Sequence, residues 1–232
     1  MHAASSLPLS DATPSERYEF IRATYNHVLG ALGCFAFLSW ILFQVGFGRW
    51  FYLLIAEYSL SWLVVLGGFM LIGRMSSHFA ETENRETQYV GLALAILAEG
   101  IVFAPLIFAV HANSGAAAIQ SGVAVTIGMV CALTEVVRRS RTDFSHLEGI
   151  LRAFGWLSGA FIVSSILFGF TLGALFSYAM IALATGFILY DTSRILKEEV
   201  AYNYVSAALQ LFLSINLLLW YVLSIFGFGN DD

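Results

Sequence analysis

The sequence has few charged residues. Asp, Glu, Lys and Arg together make up 12% of its 232 residues, and lysine occurs once, at Lys197. A soluble domain usually carries about twice that share of charged side chains. Hydrophobic residues instead make up 59% of the chain, and the mean hydropathy is +0.78. The composition therefore predicts an integral membrane protein that lies in a lipid bilayer.

The scarcity of particular residue types excludes several classes of protein. The net charge of −5 is spread over short segments, so the sequence predicts no nucleic-acid partner. The cysteines, Cys34 and Cys131, each lie inside an apolar run, which is typical of packing residues rather than of a disulfide. A retinal-binding pigment would need a lysine inside the last helix, whereas Lys197 lies before it.

A metal-dependent membrane hydrolase would need clustered ligands. One HxxE pair exists, His78 with Glu81, but it stands alone between apolar runs. We therefore expect a non-enzymatic protein without a cofactor, and we assign no metal site. The histidines fall in five separate segments without HxxxH spacing, at His2, His27, His78, His111 and His146.

Seven apolar runs are long enough to cross the roughly 30 Å of hydrocarbon in a bilayer, which takes about 20 residues. They predict an all-α fold, a bundle of seven transmembrane helices at 23–229. Residues 1–22 have no signal-peptide pattern and are predicted to be a polar cytoplasmic segment, while 230–232 form a short tail. The runs are 23–45, 51–73, 88–110, 115–137, 149–168, 171–190 and 204–227.

The basic residues test this span count, because Lys and Arg accumulate in cytoplasmic segments. With seven spans, Arg49 lies on one side of the membrane and the other ten of the 11 basic residues lie on the opposite side. This asymmetry predicts a cytoplasmic N-terminus and an outside C-terminus. The residues on the cytoplasmic side are Arg17, Arg22, Arg74, Arg85, Arg138, Arg139, Arg141, Arg152, Arg194 and Lys197.

Acidic residues within apolar runs must face the bundle interior or a watered cavity and find a partner there. Glu57 lies near Arg49 and can reach the membrane interface. Glu135 precedes Arg138 by three residues, which predicts a local ion pair. Glu99 lies about 11 residues into the third run, roughly 16 Å deep and near the bilayer midplane. No basic residue of its own helix reaches it.

Asp191 lies at the end of the sixth apolar run, in the stretch FILYDTSRIL (187–196). It stands three residues before Arg194, and a structural ion pair between the two is one interpretation.

The seventh run favours another interpretation of Asp191. Ser206, Gln210 and Ser214 recur every four residues and form a polar stripe on one face of an apolar helix. A polar stripe at this depth predicts a polar partner surface. Asp191 and Glu99 are the candidates to supply it.

Six stretches carry motifs of a known family, in the family's order. They are RATYNHVLGAL (22–32), EGIVFAPL (99–106), RTDFSHLEGIL (141–151), ILYDTSRI (188–195), AALQLFLSINLLL (207–219) and IFG (225–227). On these motifs the sequence resembles the Bax inhibitor-1 family, in particular its bacterial members, from about residue 17 to 229.

The resemblance implies a bundle in which span 7 is central and wrapped by the other six, in the bacterial cytoplasmic (inner) membrane. It also implies that Asp191 is the first of two family aspartates, which share a proton and form a pH-sensitive latch on a calcium leak path. We therefore predict an ion pathway or pH sensing, with Ca²⁺ or H⁺ as the ion, for Asp191, Glu99, Ser214 and Gln210.

The second family aspartate is replaced in this chain. When ALQLFLS (208–214) is laid on the family's Ala-Leu-x-Leu-Tyr-Leu-Asp, the aspartate position is Ser214. A serine does not share a titrating proton as a carboxylate does, so Ser214 would instead hydrogen-bond Asp191. Serine at this place resembles the bacterial branch that binds and restrains a membrane-embedded protease.

Two functions stay open at this point. The favoured one is an interaction or regulatory partner of another membrane protein, such as a membrane protease or a larger assembly, with 1–22 or the loop 138–148 as the contact. The alternative is a pH-sensitive calcium or cation leak channel built around Asp191 and Glu99.

Overall fold

The chain is mainly helical in the residues that the structure describes. The computed structural model describes residues 12–57, 61–82, 84–140, 143–197 and 203–228, and these ranges contain no strand. The helices are α1 (Pro14–Gln44), α2 (Phe47–Ala56), α3 (Ser61–Ala80), α4 (Arg85–Arg139), α5 (Glu148–Phe168), α6 (Gly173–Lys197) and α7 (Tyr204–Phe228), with a short 3-10 helix at Ser145–Leu147. Five of them, α1, α4, α5, α6 and α7, are long and apolar enough to cross a membrane. The prediction of an all-helical membrane protein is confirmed.

The first helix begins earlier than the predicted span at 23. Thr13 caps it, because Thr13 Oγ1 accepts a hydrogen bond from the Glu16 backbone N–H at 3.4 Å, and Glu16 Oε2 accepts one from the Thr13 N–H at 2.9 Å. Pro14 occupies the first helical position, where its missing N–H costs nothing. Part of the predicted polar segment 1–22 is therefore helical, while residues 1–11 lie outside the described residues.

The prediction of one helix over 51–73 is wrong. This stretch contains the end of α2 and most of α3, and Glu57 between them is not helical. The short α2 packs against α4, where the Tyr52 and Phe108 rings lie 5.7 Å apart. Glu57 is exposed at the end of α2.

The long helix α4 consists of two segments. Gly115 has φ 78° and ψ −179°, a conformation that glycine adopts far more readily than other residues, and it interrupts the helix. We call 85–114 α4a and 116–139 α4b. The Asn113 Nδ2 and Ser114 Oγ donate to the Gly227 carbonyl at 2.6 and 2.9 Å, which fixes the corner to the end of α7. The two segments correspond to the predicted third and fourth spans.

The most buried helix is α7, in which 16 of 25 residues are buried. It contacts α1, α3, α4 and α6. The central position that the family resemblance implied is confirmed, but within the described residues α2 and α5 do not reach α7 and pack on the outside of the bundle.

Two apolar faces of α7 organise the core. One face packs against α4a and Phe35 of α1, and the other packs against α6 and the start of α1. The first face consists of Val205, Leu209, Phe212, Leu219 and Leu223. The second consists of Ala207, Leu211, Ile215, Leu218 and Val222.

Candidate functional site

Asp191 lies on the face of α6 that packs against α7. This face is buried because Ala184, Ile188, Asp191 and Ile195 recur every three or four residues. Asp191 Oδ2 accepts a hydrogen bond from Ser214 Oγ at 2.5 Å. The two residues are only 6% and 8% exposed, so the contact is inside the bundle. The predicted hydrogen bond between Ser214 and Asp191 is confirmed.

This pair contains one titratable group. The serine hydroxyl donates its proton to the carboxylate oxygen and does not ionise in the range where carboxylates titrate. Two carboxylates at this separation would share a proton, because both cannot ionise readily. The contact therefore joins the two positions that the resemblance assigned to paired aspartates, and it contains one carboxyl group instead of two.

A second contact lies about one turn from the first. Arg194 Nη1 donates to Gln210 Oε1 at 3.1 Å, and the Arg194 guanidinium lies 5.5 Å from the centre of the Tyr190 ring. The polar stripe of α7 thus meets α6 at two successive positions, with Ser214 on Asp191 and Gln210 on Arg194. Because α6 and α7 are antiparallel, the order of the residues is reversed between them.

A cavity of about 830 Å³ between α3, α5 and α6 reaches this site from the lateral surface of the bundle. Arg194 and Gln210 line it, together with Gly155 and Gly159 of α5. The Arg194–Gln210 contact is therefore accessible from the side of the bundle, and Asp191 lies behind it.

The end of α6 also anchors the loop before α5. Ser193, which is fully buried, donates from Oγ to Asp143 Oδ1 at 2.9 Å and accepts from the Phe144 N–H at 3.1 Å. Sequence reasoning identified the TDFS motif but missed Ser193, although it follows Asp191 by two residues in YDTSR. The predicted contact loop 138–148 is thus attached to α6 through Asp143 and Phe144, while residues 141–142 lie outside the described residues.

The ion pair predicted between Glu135 and Arg138 is confirmed. Arg138 Nε and Nη2 donate to the two carboxylate oxygens at 2.8 and 2.9 Å, and Arg139 also contacts Glu135. The pair is at the surface, where such contacts contribute little to stability. It is structural and lies apart from Asp191.

Aromatic contacts fix the level of α4a against α7. The Arg85 guanidinium lies 4.0 Å from the centre of the Tyr204 ring, and the Phe103 and Trp220 rings are 5.1 Å apart. Helices α4a and α7 therefore run parallel, and a residue of α4a faces the residue of α7 that lies about 117 to 119 positions later in the sequence. Further along, Val110 packs against Gly227, which agrees with this alignment.

This alignment places Glu99 at the level of Asn216. Both lie in the facing stripes of α4a and α7 and are 6% and 0% exposed. Neither side chain has a hydrogen-bond partner among the described residues. Asn216 was missed by sequence reasoning, although an amide in the apolar run LFLSINLLL was a signal.

The two buried polar sites lie on opposite faces of α7. Ser214 and Asn216 are two residues apart, which is about 200° around a helix. The expectation that Glu99 and Asp191 both meet the stripe of Ser206, Gln210 and Ser214 is therefore wrong for Glu99, because α7 separates Glu99 from that stripe. Within the described ranges, no three His, Cys, Asp or Glu side chains come together as metal ligands.

Comparison with known proteins identifies the family of the chain. The family model described as "Inhibitor of apoptosis-promoting Bax1" matches residues 17–231. Bax inhibitor 1 of Schizosaccharomyces pombe is 27% identical, over 98% of this chain and 84% of that protein. A protein of uncharacterised function from Pseudomonas aeruginosa is 35% identical over 51% of this chain and 54% of its own length. An uncharacterised membrane protein of Vibrio cholerae is 36% identical over 40% of this chain and 42% of its own length. Since the family match covers almost all of the sequence, the chain belongs to the Bax inhibitor-1 family.

Proposed function

We propose that the chain is a non-catalytic regulatory protein that binds another integral membrane protein, such as a membrane-embedded protease or a larger assembly. The observation that carries the proposal is the 2.5 Å hydrogen bond from Ser214 to Asp191. A protonation latch needs an element with two arrangements that protonation biases. A hydroxyl in place of the second carboxylate removes the group that would share the proton, so the contact serves better as a structural clamp between α6 and α7.

The 830 Å³ cavity between α3, α5 and α6, called the α3–α5 cleft from here on, supports binding of a partner helix. Gly155 and Gly159 line it one turn apart, and small residues at this spacing let helix backbones approach closely in lipid. A Cβ on Gly159 would meet no described atom within 4 Å, and one on Gly155 would meet Phe187 Cζ at 3.8 Å, so both positions leave room for a neighbouring helix. Gln210 and Arg194 at the floor offer polar groups to a partner.

Affinity purification of the full-length protein in mild detergent tests this proposal. We expect a specific larger membrane protein in near-stoichiometric amount. Gly159→Leu should reduce its recovery at least about five-fold, because the leucine fills the cleft. The matched control is Gly128→Leu on α4b, where a Cβ also has open space among the described atoms but no cleft is filled. Recovery of the protein alone, together with robust calcium flux in reconstituted vesicles, would reverse the proposal in favour of a channel.

The second candidate function is a calcium or proton leak, and the observation that favours it is the buried Glu99. A buried carboxyl group near mid-membrane is a common mark of an ion or proton path. Asn216 at the same level adds an amide oxygen that an ion or a water molecule can bind. The test is ion flux from vesicles that contain the purified protein: Glu99→Gln should abolish a genuine flux, whereas an equal flux in this variant would exclude the path.

We further propose seven spans with a cytoplasmic N-terminus, in the bacterial cytoplasmic membrane. Counting α4a and α4b separately, α1, α3, α4a, α4b, α5, α6 and α7 make seven crossings, and the short α2 stays at one interface. Single cysteines introduced by Ala112→Cys and Arg139→Cys, with both native cysteines replaced by serine, test this topology. A membrane-impermeant maleimide should label the first from outside and the second only after the membrane is opened. The reverse result would overturn the orientation.

A further inference from the structure

A second cavity, independent of the site above, lies between α1 and α4b. Its volume is about 770 Å³, and residues of α7 such as Leu219 and Leu223 form its floor. On α1 it extends from Leu29 to Gln44, about 22 Å along the helix at 1.5 Å per residue. Cavities of this size with mostly apolar walls and a few polar groups are typical of small-ligand sites.

The polar groups of this cavity are gathered towards one end. Gln44, His111 and Gln120 surround that end, where α1 stops and the corner at Gly115 begins. The His111 ring is held there by Phe43, with ring centroids 5.0 Å apart. Towards the other end the walls are apolar, apart from Ser39, Cys131 and Thr126, and the Thr126 hydroxyl is bonded to the carbonyl of Gly122. An occupant must therefore be amphipathic, with its polar part at the Gln44 end.

Ser39 supplies a separate observation that points to a ligand. It lies on the cavity wall, is 8% exposed, and its hydroxyl has no hydrogen-bond partner among the described residues. A buried hydroxyl without a partner costs about 1 to 3 kcal/mol, so native proteins rarely leave one unpaired. Ser39 is about 7.5 Å deeper than Gln44 along α1. Because the hydroxyl itself has almost no exposed surface, rotation of the Ser39 side chain towards the cavity would let an occupant pair with it just below its polar head.

From these features we infer that the cavity binds one acyl chain of a zwitterionic glycerophospholipid. The phosphate lies between Gln44 and Gln120, whose amide groups donate hydrogen bonds, and an ester carbonyl accepts from Ser39. The apolar part of the cavity holds the chain. None of the described lining residues is Asp, Glu, Lys or Arg, so a net charge on the head group is not required.

The shape of the cavity fits a lipid chain, because polar groups gather at one end of a mostly apolar channel that follows α1 for about 22 Å. The cavity is also long enough for a chain that reaches the bilayer midplane, about 15 Å from the edge of the hydrocarbon.

Gly33 allows the cavity to be filled without disturbing the bundle. It lines the cavity, and a Cβ there would meet no described atom within 4 Å. Gly30 is equally open among the described atoms but does not line the cavity, so it provides a matched control on the same helix. The variants are Gly33→Phe and Gly30→Phe, and thermal unfolding shows whether both remain folded.

The experiment uses the full chain in nanodiscs with phosphatidylethanolamine that carries a diazirine on one acyl chain. After irradiation, we expect about one cross-linked lipid per protein, located by mass spectrometry on 29–44 and 116–131. Gly33→Phe should lower the yield at least about five-fold, while Gly30→Phe should stay within about two-fold of the parent. If Gly33→Phe does not fold, the double variant Gln44→Leu/Gln120→Leu should lower lipid retention during delipidation by a similar factor.

Two outcomes would overturn the inference. If the cross-links spread evenly over the lipid-facing surface and do not change in Gly33→Phe, the cavity holds only the annular lipid that surrounds the whole protein. Loss of a copurified protein in Gly33→Phe, with no lipid found in the parent cavity, would assign the cavity to a partner helix. Recovery of the partner through the α3–α5 cleft is a separate measurement, so the proposed function and the lipid site can fail independently.

Discussion

The hydrogen bond between Ser214 and Asp191 can be tested by removing the hydroxyl in Ser214→Ala. The variant leaves a buried carboxyl group without this donor, while the smaller side chain creates almost no cavity. Side-chain hydrogen bonds between membrane helices contribute about 0.6 kcal/mol on average and up to about 1.7 kcal/mol. Hydrogen bonds to charged groups contribute about 1.5 to 3 kcal/mol. The two ranges meet near 1.5 kcal/mol, which is the loss of stability we expect.

Thermal unfolding in detergent, followed by circular dichroism, measures this loss. For a protein of 150 to 250 residues, 1 kcal/mol shifts the Tm by about 2 to 4 °C, so Ser214→Ala should lower the Tm by about 3 to 6 °C. The matched control is Ser224→Ala on the same helix, because the Ser224 hydroxyl bonds only the carbonyl of Trp220 in its own helix at 2.9 Å. We expect the control to change the stability by less than about 0.5 kcal/mol. Equal shifts in the two variants would show that the α6–α7 hydrogen bond does not stabilise the bundle.

Three further predictions concern packing and titration. A Cβ at Gly91 would lie 2.6 Å from the Ser76 carbonyl oxygen, so Gly91→Ala should destabilise the protein by about 1 to 3 kcal/mol in the same assay, whereas Gly128→Ala in open space should be neutral or slightly stabilising. Asp191→Asn should fold, since the amide keeps most hydrogen bonds, and should remove the pH dependence of any ion flux; a flux that still titrates like the parent would exclude Asp191 as the sensor. Ser214→Asp should place two carboxyl groups in contact and add proton uptake between about pH 5 and 9, and an uptake curve identical to the parent would mean that the side chains do not couple.

The apolar runs were sufficient to predict most of the fold. Hydropathy located α5, α6 and α7 to within a few residues at most ends, because every backbone group in lipid must be satisfied within a helix. It failed at 51–73, where an apolar run that contains Glu57 includes parts of two helices. Hydropathy measures the preference for lipid and contains no information on where a helix must bend to pack against a neighbour. The early start of α1 was readable from Thr13, Pro14 and Glu16, a capping signal that the apolar count ignored.

The candidate site was predictable where helix periodicity applies. The four-residue spacing of Gln210 and Ser214 placed both on one face, and their contacts with Arg194 and Asp191 confirm it. The position of Glu99 was not predictable, because depth in the membrane says nothing about which face of α7 a residue of another helix meets. That choice depends on the rotation of α4a, which the Phe103–Trp220 contact sets.

The separation of the two polar faces of α7 has a consequence for function. On the α6 face, polar groups are matched, with Gln210 on Arg194 and Ser214 on Asp191, so this face favours a single arrangement. On the α4a face, Glu99 and Asn216 are buried at one level, and their side chains have no hydrogen-bond partner among the described residues. Buried polar side chains without partners favour a second arrangement of the helices or a bound ion or water molecule that pairs with them. Under the two proposed functions, an ion-conducting step would therefore use the α4a face, and binding through the α3–α5 cleft would use the opposite side of α7. Because the substitutions that test the two functions lie on different faces, a loss of flux in Glu99→Gln with unchanged partner recovery would assign the leak without affecting the regulatory role.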